Sequence, residues 1–297
     1  MLNPNEELNI AFRGMLKNRA ADNDMERMAL KSAYTGSGYE LSNRAKELFT
    51  EKLAKNNVFR RLGSFYALDR GDASLWYGEC NVDAEWTAEG AAITEEHEEF
   101  VETAMNPHKL AQVIKVKQDF ANDKNINIEE YLAEQFGRNF GRAEENAMLN
   151  GDGVHKPTGL LNTCETALSV STITFDDVIK LYHSVDKKYR KNGTWLMNDD
   201  MTTQLRLLKS NDGIHLWNEN HDTILGKPVE ISEFMPEKTP LAFGDLGNYI
   251  AIQNQPFTMK VLAELYTDTG HLGYRAIEQI DGKLAKTDSV KKLEIAA

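Results

Sequence analysis

The residues of this 297-residue chain that could do chemistry are seven histidines, two cysteines and two pairs of adjacent aspartates. Their spacing argues against a catalytic site. His97, His108, His155, His183, His215, His221 and His271 stand singly, at intervals too irregular to build a centre. His97-Glu98-Glu99 lacks the second histidine that a zinc-hydrolase helix supplies. There is no GxSxG nucleophile turn and no Walker loop. Cys80 and Cys164 lie far apart, outside any metal-ligand spacing, and read as free thiols of a reducing cytoplasm. Asp176-Asp177 and Asp199-Asp200 stand at predicted helix starts, where an acid caps backbone N–H groups. Gly151-Asp152-Gly153 has the look of a phosphate loop, but it follows a helix, and that end of the dipole disfavours anions. These residues predict no catalytic, cofactor-binding or metal site.

Charge is concentrated in one stretch instead. Residues 81–99, NVDAEWTAEGAAITEEHEE, hold Asp83, Glu85, Glu89, Glu95, Glu96, Glu98 and Glu99. Arg70 is the only lysine or arginine from Asp69 to Asn106. Strand-like runs flank the stretch, Leu75-Trp76-Tyr77 before it and Phe100-Val101-Glu102-Thr103-Ala104 after it. A two-stranded ribbon is marginal alone, and dense like charges weaken it further. It should rest on something basic. Arg13, Lys17 and Arg19, or Arg60 and Arg61, are the candidates in the sequence. No such surface is obvious within a compact monomer.

With 41% hydrophobic and 27% charged residues, the chain has the composition of a globular protein. Its net charge of -12 leaves no evident basic face for gripping nucleic acid. The opening residues MLNPNEELN are polar and acidic, unlike a signal peptide. No apolar run approaches the roughly 20 residues of a membrane span.

The element that must position everything else is a helix predicted from Ile128 to Leu149. Tyr131, Leu132, Ala133, Phe136, Phe140, Ala143, Ala147 and Met148 recur at helical spacing. Asn127 and Glu130 offer a capping box, and Asn150-Gly151 a left-handed stop. Gly137 and Gly141 weaken it, at about 1 kcal/mol each. At about 1.5 Å per residue it is a strut roughly 33 Å long. Before it, Leu8, Phe12, Met15 and Leu16 share one face of an amphipathic segment, Ser42 to Ala54 reads as a helix, and residues 108–119 as a strand. After it the pattern alternates. Thr174 and Asp177 cap a helix running on through Tyr189 to a stop at Gly193. Thr194 to Met197 is a buried strand, and Asn198 or Asp199 caps a helix through Leu208. Strands follow at Val229–Ile231, Leu241–Asp245 and Tyr249–Ile252, then at Thr258–Leu262, Gly273–Ile280 and Lys283–Thr287, with Asp281-Gly282 as a hairpin turn.

The long helix followed by Gly151-Asp152-Gly153 and Pro157-Thr158-Gly159-Leu160-Leu161, and the order of segments around it, resembles tailed-bacteriophage major capsid proteins of the Hong Kong 97-type fold. Trp86, Glu89 and Gly90 match the W-x-x-E-G-like tip of that family's extended loop. The resemblance implies an α+β chain in named parts: an N-terminal arm at 1–38, a peripheral domain at 39–67, 107–160 and 255–297 that holds the spine helix, an extended β-hairpin loop at 68–106, and an axial α/β domain at 161–254. It implies a structural role without enzymatic activity. Copies would self-assemble into pentamers and hexamers of an icosahedral head enclosing double-stranded DNA, built in the host cytoplasm with scaffold, portal and decoration proteins as partners and no membrane. The assembly contacts implied are Arg13, Lys17, Arg19, Trp86, Glu89, Glu95, Glu96, Glu98 and Glu99. Some members crosslink a loop lysine to a neighbour's asparagine. No lysine occurs here between Lys55 and Lys109, so no such bond is expected. An encapsulin-type compartment shell with the same fold and a soluble α/β enzyme are the alternatives.

Overall fold

The computed structural model describes residues 34–35, 38–39, 41–68, 73–78, 86, 90, 100–123, 125–209, 217–218 and 222–296. The arm-like segment before Tyr34, Cys80 and nearly all of the acidic stretch lie outside them.

Two short strands, β1 (Tyr34–Thr35) and β2 (Gly38–Tyr39), precede helix α1 (Asn43–Lys55). Ser42 caps α1 through the Ala45 N–H, and Ala45, Phe49 and Leu53 form its buried stripe. Helix α2 (Val58–Leu62) is capped by Asn57, whose side chain accepts from Phe59 and Arg60. Strand β3 (Ser64–Ala67) follows, then β4 (Ala73–Gly78) and β5 (Phe100–Met105), the predicted ribbon, paired antiparallel from Ala73↔Met105 to Gly78↔Phe100. Strand β6 (His108–Lys117) and short helix α3 (Gln118–Asn122) lead to the 23-residue helix α4 (Ile128–Asn150).

Helix α5 (Leu160–Thr163), strand β7 (Glu165–Val170) and helices α6 (Phe175–Ser184) and α7 (Lys187–Arg190) come next. Thr174 and Asp177 close the predicted capping box on α6. Strand β8 (Thr194–Met197) is buried throughout, and Asn198 caps α8 (Asp199–Leu207). Strands β9 (Trp217–Asn218), β10 (Thr223–Ile224), β11 (Lys227–Ile231), β12 (Leu241–Gly244), β13 (Tyr249–Leu262), β14 (His271–Leu284) and β15 (Val290–Ile295) complete the chain.

These strands make two large sheets. One runs β1-β2-β13-β14-β6, with β3 also on β13; the other runs β7-β15-β12-β8-β11-β10-β9. Helix α4 spans two cores. Its first half packs Leu132, Ala133, Phe136 and Phe140 against Phe49, Phe257 and Tyr274. Its end sends Met148 and Leu149 among Phe59, Leu160, Tyr249 and Leu284. A third core lies between α6, α8 and the second sheet, around Trp195, Leu205 and Phe243. Gly137 and Gly141, a cost to the isolated helix, are what let α1 approach. A Cβ at either would sit 2.8 Å from a carbonyl oxygen of α1, Phe49 O or Leu53 O.

Several local expectations are corrected. Asn127 makes no capping bond, and its Oδ1 is buried with no hydrogen-bond partner among the described residues. Glu130 instead pairs with Arg44 at 2.7 Å, and Glu129 accepts the Ser42 N–H at 2.8 Å, so both acids serve α1 rather than their own helix start. Gly151 is extended, with φ -64°, not left-handed. The helix predicted through Tyr189 breaks at Val185, whose extended backbone lets Val185 and Tyr189 both reach the third core. Asp281-Gly282 is no turn. It lies inside β14, opposite Ile252 and Ala251, and glycine is required because a Cβ would meet the Tyr249 ring at 2.8 Å. Strand β13 runs unbroken across position 254/255, and β15, which no predicted strand covers, pairs with β12 and β7 in the second sheet.

Candidate assembly surfaces

The ribbon β4–β5 is fastened at its root to β14. Asp281 accepts the Asn106 N–H at 2.8 Å through one oxygen and the Gly282 N–H at 2.8 Å through the other. Lys283 Nζ donates to Ala104 O at 2.6 Å. These anchors escaped sequence reading because Asp-Gly is the strongest short hairpin signal. Only its pairing partners reveal that it continues a strand. Trp76 on the ribbon is 58% exposed, and Trp86 is fully exposed. Of the contact residues expected from sequence, Trp86 alone is described; Arg13, Lys17, Arg19, Glu89, Glu95, Glu96, Glu98 and Glu99 lie outside the described residues.

Arg60 and Arg61 are already engaged within the subunit. Arg61 pairs with Glu230 at 2.7 Å. Arg60 grips Glu144 of α4 with two hydrogen bonds, Nε to Oε2 at 2.8 Å and a terminal nitrogen to Oε1 at 2.6 Å. Its guanidinium also lies 4.3 Å from the centre of the Phe65 ring. Asn57 Nδ2 donates to the same Glu144 carboxylate at 2.9 Å. Glu278 of β14 is buried beside this pair, takes a bond from Gln253 at 3.3 Å, and has one oxygen, Oε1, without another hydrogen-bond partner among the described residues. Burial, and then the Glu144 carboxylate, push the Glu278 carboxyl well above the usual range. Burial opposes the charge on Arg60, but Glu144 outweighs it and raises Arg60. At the next residue, burial raises Glu145 although Ser232 Oγ and the Val58 N–H both donate to it. The two acids thus tie α2, β14 and the residue after β11 to the end of α4.

This cluster is structural in its chemistry. Its side chains are spent on bonds between elements. Cys164 is buried, with its thiol pushed up to about 11 by that burial. Among the described residues no three His, Cys, Asp or Glu side chains gather around a metal position, and no helix is long and apolar enough to cross a membrane. Asp152 ties up its own loop, because its Oδ1 accepts the N–H groups of Val154, His155 and Lys156.

The sequence model of the phage capsid family matches residues 38–295. The chain belongs to that family. No curated protein matches it. Among solved structures it is similar to the capsid of an empty GTA particle computed with C5 symmetry: 27% identity, TM-score 0.69, covering 82% of this chain and 90% of that one. It shares the fold of chains from Gordonia phage Cozz (11% identity, TM-score 0.62, covering 81% and 87%) and Mycobacterium phage Cain (13%, 0.58, covering 93% and 99%). This phage capsid family chain is a structural capsid subunit with the Hong Kong 97-type fold. Neither the compartment shell nor the enzyme is favoured by these likenesses. In a capsid subunit the Arg60–Glu144–Glu278 cluster fixes the long helix against its sheet, and the Asp281 and Lys283 bonds fix where the ribbon departs.

Proposed function

We propose that copies of this chain close into pentamers and hexamers that tile an icosahedral shell around double-stranded DNA. Scaffold, portal and decoration proteins are the partners this reading expects, with assembly in the host cytoplasm. The observation that carries it is the likeness over 82% of the chain to a capsid solved with C5 symmetry. On this reading residues 1–38 are the arm and 68–106 the extended loop. The second sheet and its helices form the axial part that meets at each ring centre. The first sheet with α1 and α4 forms the peripheral part. Heterologous contacts of this kind close into rings, and many weak ones act together. The shell is not held by lysine–asparagine bonds, because the loop has no lysine. It carries out no reaction on a substrate. Negative-stain microscopy and sedimentation of the purified chain test this. Shells, sheets or tubes are expected. A stable monomer at micromolar concentration across salt and pH would refute it.

A further inference from the structure

We infer that a cavity beside the end of α4 binds the phosphate group of a nucleotide. The cavity, about 210 Å³, lies between the last turns of α4, the start of β6 and the loop that carries His155, Lys156 and Pro157. Strand β6 is an edge of its sheet, so a groove runs between it and α4. One turn back along the helix, Asn139 Nδ2 donates to Gln112 of β6 at 3.2 Å and closes the groove there. The loop closes the other end. Asp152 folds it by accepting the N–H groups of Val154, His155 and Lys156. Leu110, Ala147 and Ile280 give the cavity an apolar floor, and His108, Lys109, His155 and Lys156 surround it.

The polar groups this cavity offers are donors. Lys109 and Lys156 are exposed, and among the described residues neither lies in ion-pair reach of a carboxylate. Asn146, also on the lining, spends its Oδ1 on Asn150 Nδ2 at 3.2 Å, which leaves its own Nδ2 to donate. The two nearby acids are engaged elsewhere. Glu144 lines the cavity, but its side chain is fully buried and held by Arg60 and Asn57. Buried Asp281 accepts the Asn106 and Gly282 N–H groups and stands 3.9 Å from His108. Two ammonium groups, two imidazoles and an amide outnumber the roughly four lone-pair sites of a carboxylate. A phosphate group, with three strong acceptor oxygens and close to two charges, uses more of them. The floor then packs against the attached sugar or base. The end of the α4 dipole disfavours an anion by only about 0.3–1 kcal/mol, the smaller effect beside two lysines. The donors are side chains, since the N–H groups of the turn stay with Asp152. A free nucleotide and packaged DNA present the same group, and the second source rests on the capsid reading.

Saturation-transfer difference NMR on the full chain tests this, with deoxyadenosine monophosphate and a short DNA duplex as probes. The monophosphate should bind at least tenfold more tightly than deoxyadenosine, which lacks the phosphate. Lys109→Ala with Lys156→Ala should weaken it at least tenfold. Lys117→Ala, the same change farther along β6, should weaken it less than twofold. Both cavity lysines are exposed, so circular dichroism should not change. If the double variant does not fold, Lys156→Ala alone, in the loop, decides, with a loss of at least threefold expected. Equal binding of nucleotide and nucleoside, or equal binding of the probes to parent and lysine variant, overturns the inference. The duplex identifies the source. Duplex binding that the lysine variant loses assigns the site to packaged DNA, and binding of the monophosphate without the duplex assigns it to a free nucleotide. Binding of neither probe overturns the inference while the shell reading stands. Failure of the parent chain to assemble removes the shell reading, and with it the DNA source alone.

Discussion

At the scale of single residues, the buried acids at the end of α4 have separable roles. Glu144 is the partner that Arg60 grips, and Glu278 is the acid whose carboxyl burial and Glu144 push upward. Glu144→Gln leaves a buried guanidinium without its counter-charge and should cost about 3–5 kcal/mol in urea unfolding. Glu278→Gln keeps a neutral donor in place and should be nearly silent at pH 6. The pH dependence follows from linkage. A carboxyl raised on folding contributes stability that is complete below its unfolded value and lost as pH rises through its folded value. The parent should therefore lose melting temperature on the alkaline side, and Glu278→Gln should lose less. Raised Glu145 accounts for part of the slope that remains. Parallel melting curves for parent and variant from pH 5 to 9 would exclude a protonated Glu278. None of this was legible in the sequence. Glu144 and Glu278 are 134 positions apart and look like two more surface acids until α4 is laid on β14.

Elements were read better where period alone decides them and worse where a partner decides. The stripe from Leu132 to Met148 gave helix α4, Thr174–Asp177 gave the cap of α6, and the run from Thr194 to Met197 gave β8. Gly137 and Gly141 counted as defects because helix propensity knows nothing of α1. Gly141→Ala, favourable in an isolated helix, should destabilise this protein by about 1–3 kcal/mol by forcing α1 away, as chemical denaturation would show. Likewise Asp281-Gly282 satisfied every local rule for a turn, and the antiparallel pairing overruled it. Asp281→Ala removes the acceptor for Asn106 and Gly282. It should cost about 1–3 kcal/mol and raise amide exchange at the start of β6 and the root of the ribbon. Unchanged exchange at Asn106 would show that Asp281 does not hold the ribbon.

For the whole molecule, the ordered set of segments carried the fold, and the excess of acid over base in one excursion carried the expectation of a neighbour. What the sequence concealed was the basic face of the first sheet, because Lys109, Lys115, Lys117, Lys260 and Arg275 come from three strands and gather only by register. Changing Glu95, Glu96, Glu98 and Glu99 together to Gln should leave the circular dichroism unchanged and alter assembly yield or its salt dependence, read by light scattering. Exposed pairs are worth about 0–1 kcal/mol each and are screened over roughly 8–10 Å, so the effect should be strongest at low ionic strength. An identical yield and salt curve would make the stretch a solvated excursion only.

Strand β13 starts at Tyr249 in the middle core and ends beyond Phe257 in the first, with β14 bonded along it almost throughout. The two halves of the subunit therefore share a beam. Tilting one against the other would bend a two-ply ribbon across its hydrogen bonds instead of swinging a joint. On the proposed shell reading, curvature would be taken up at the seams between copies, and rings of different size would differ in how the tiles meet more than in the shape of the tile.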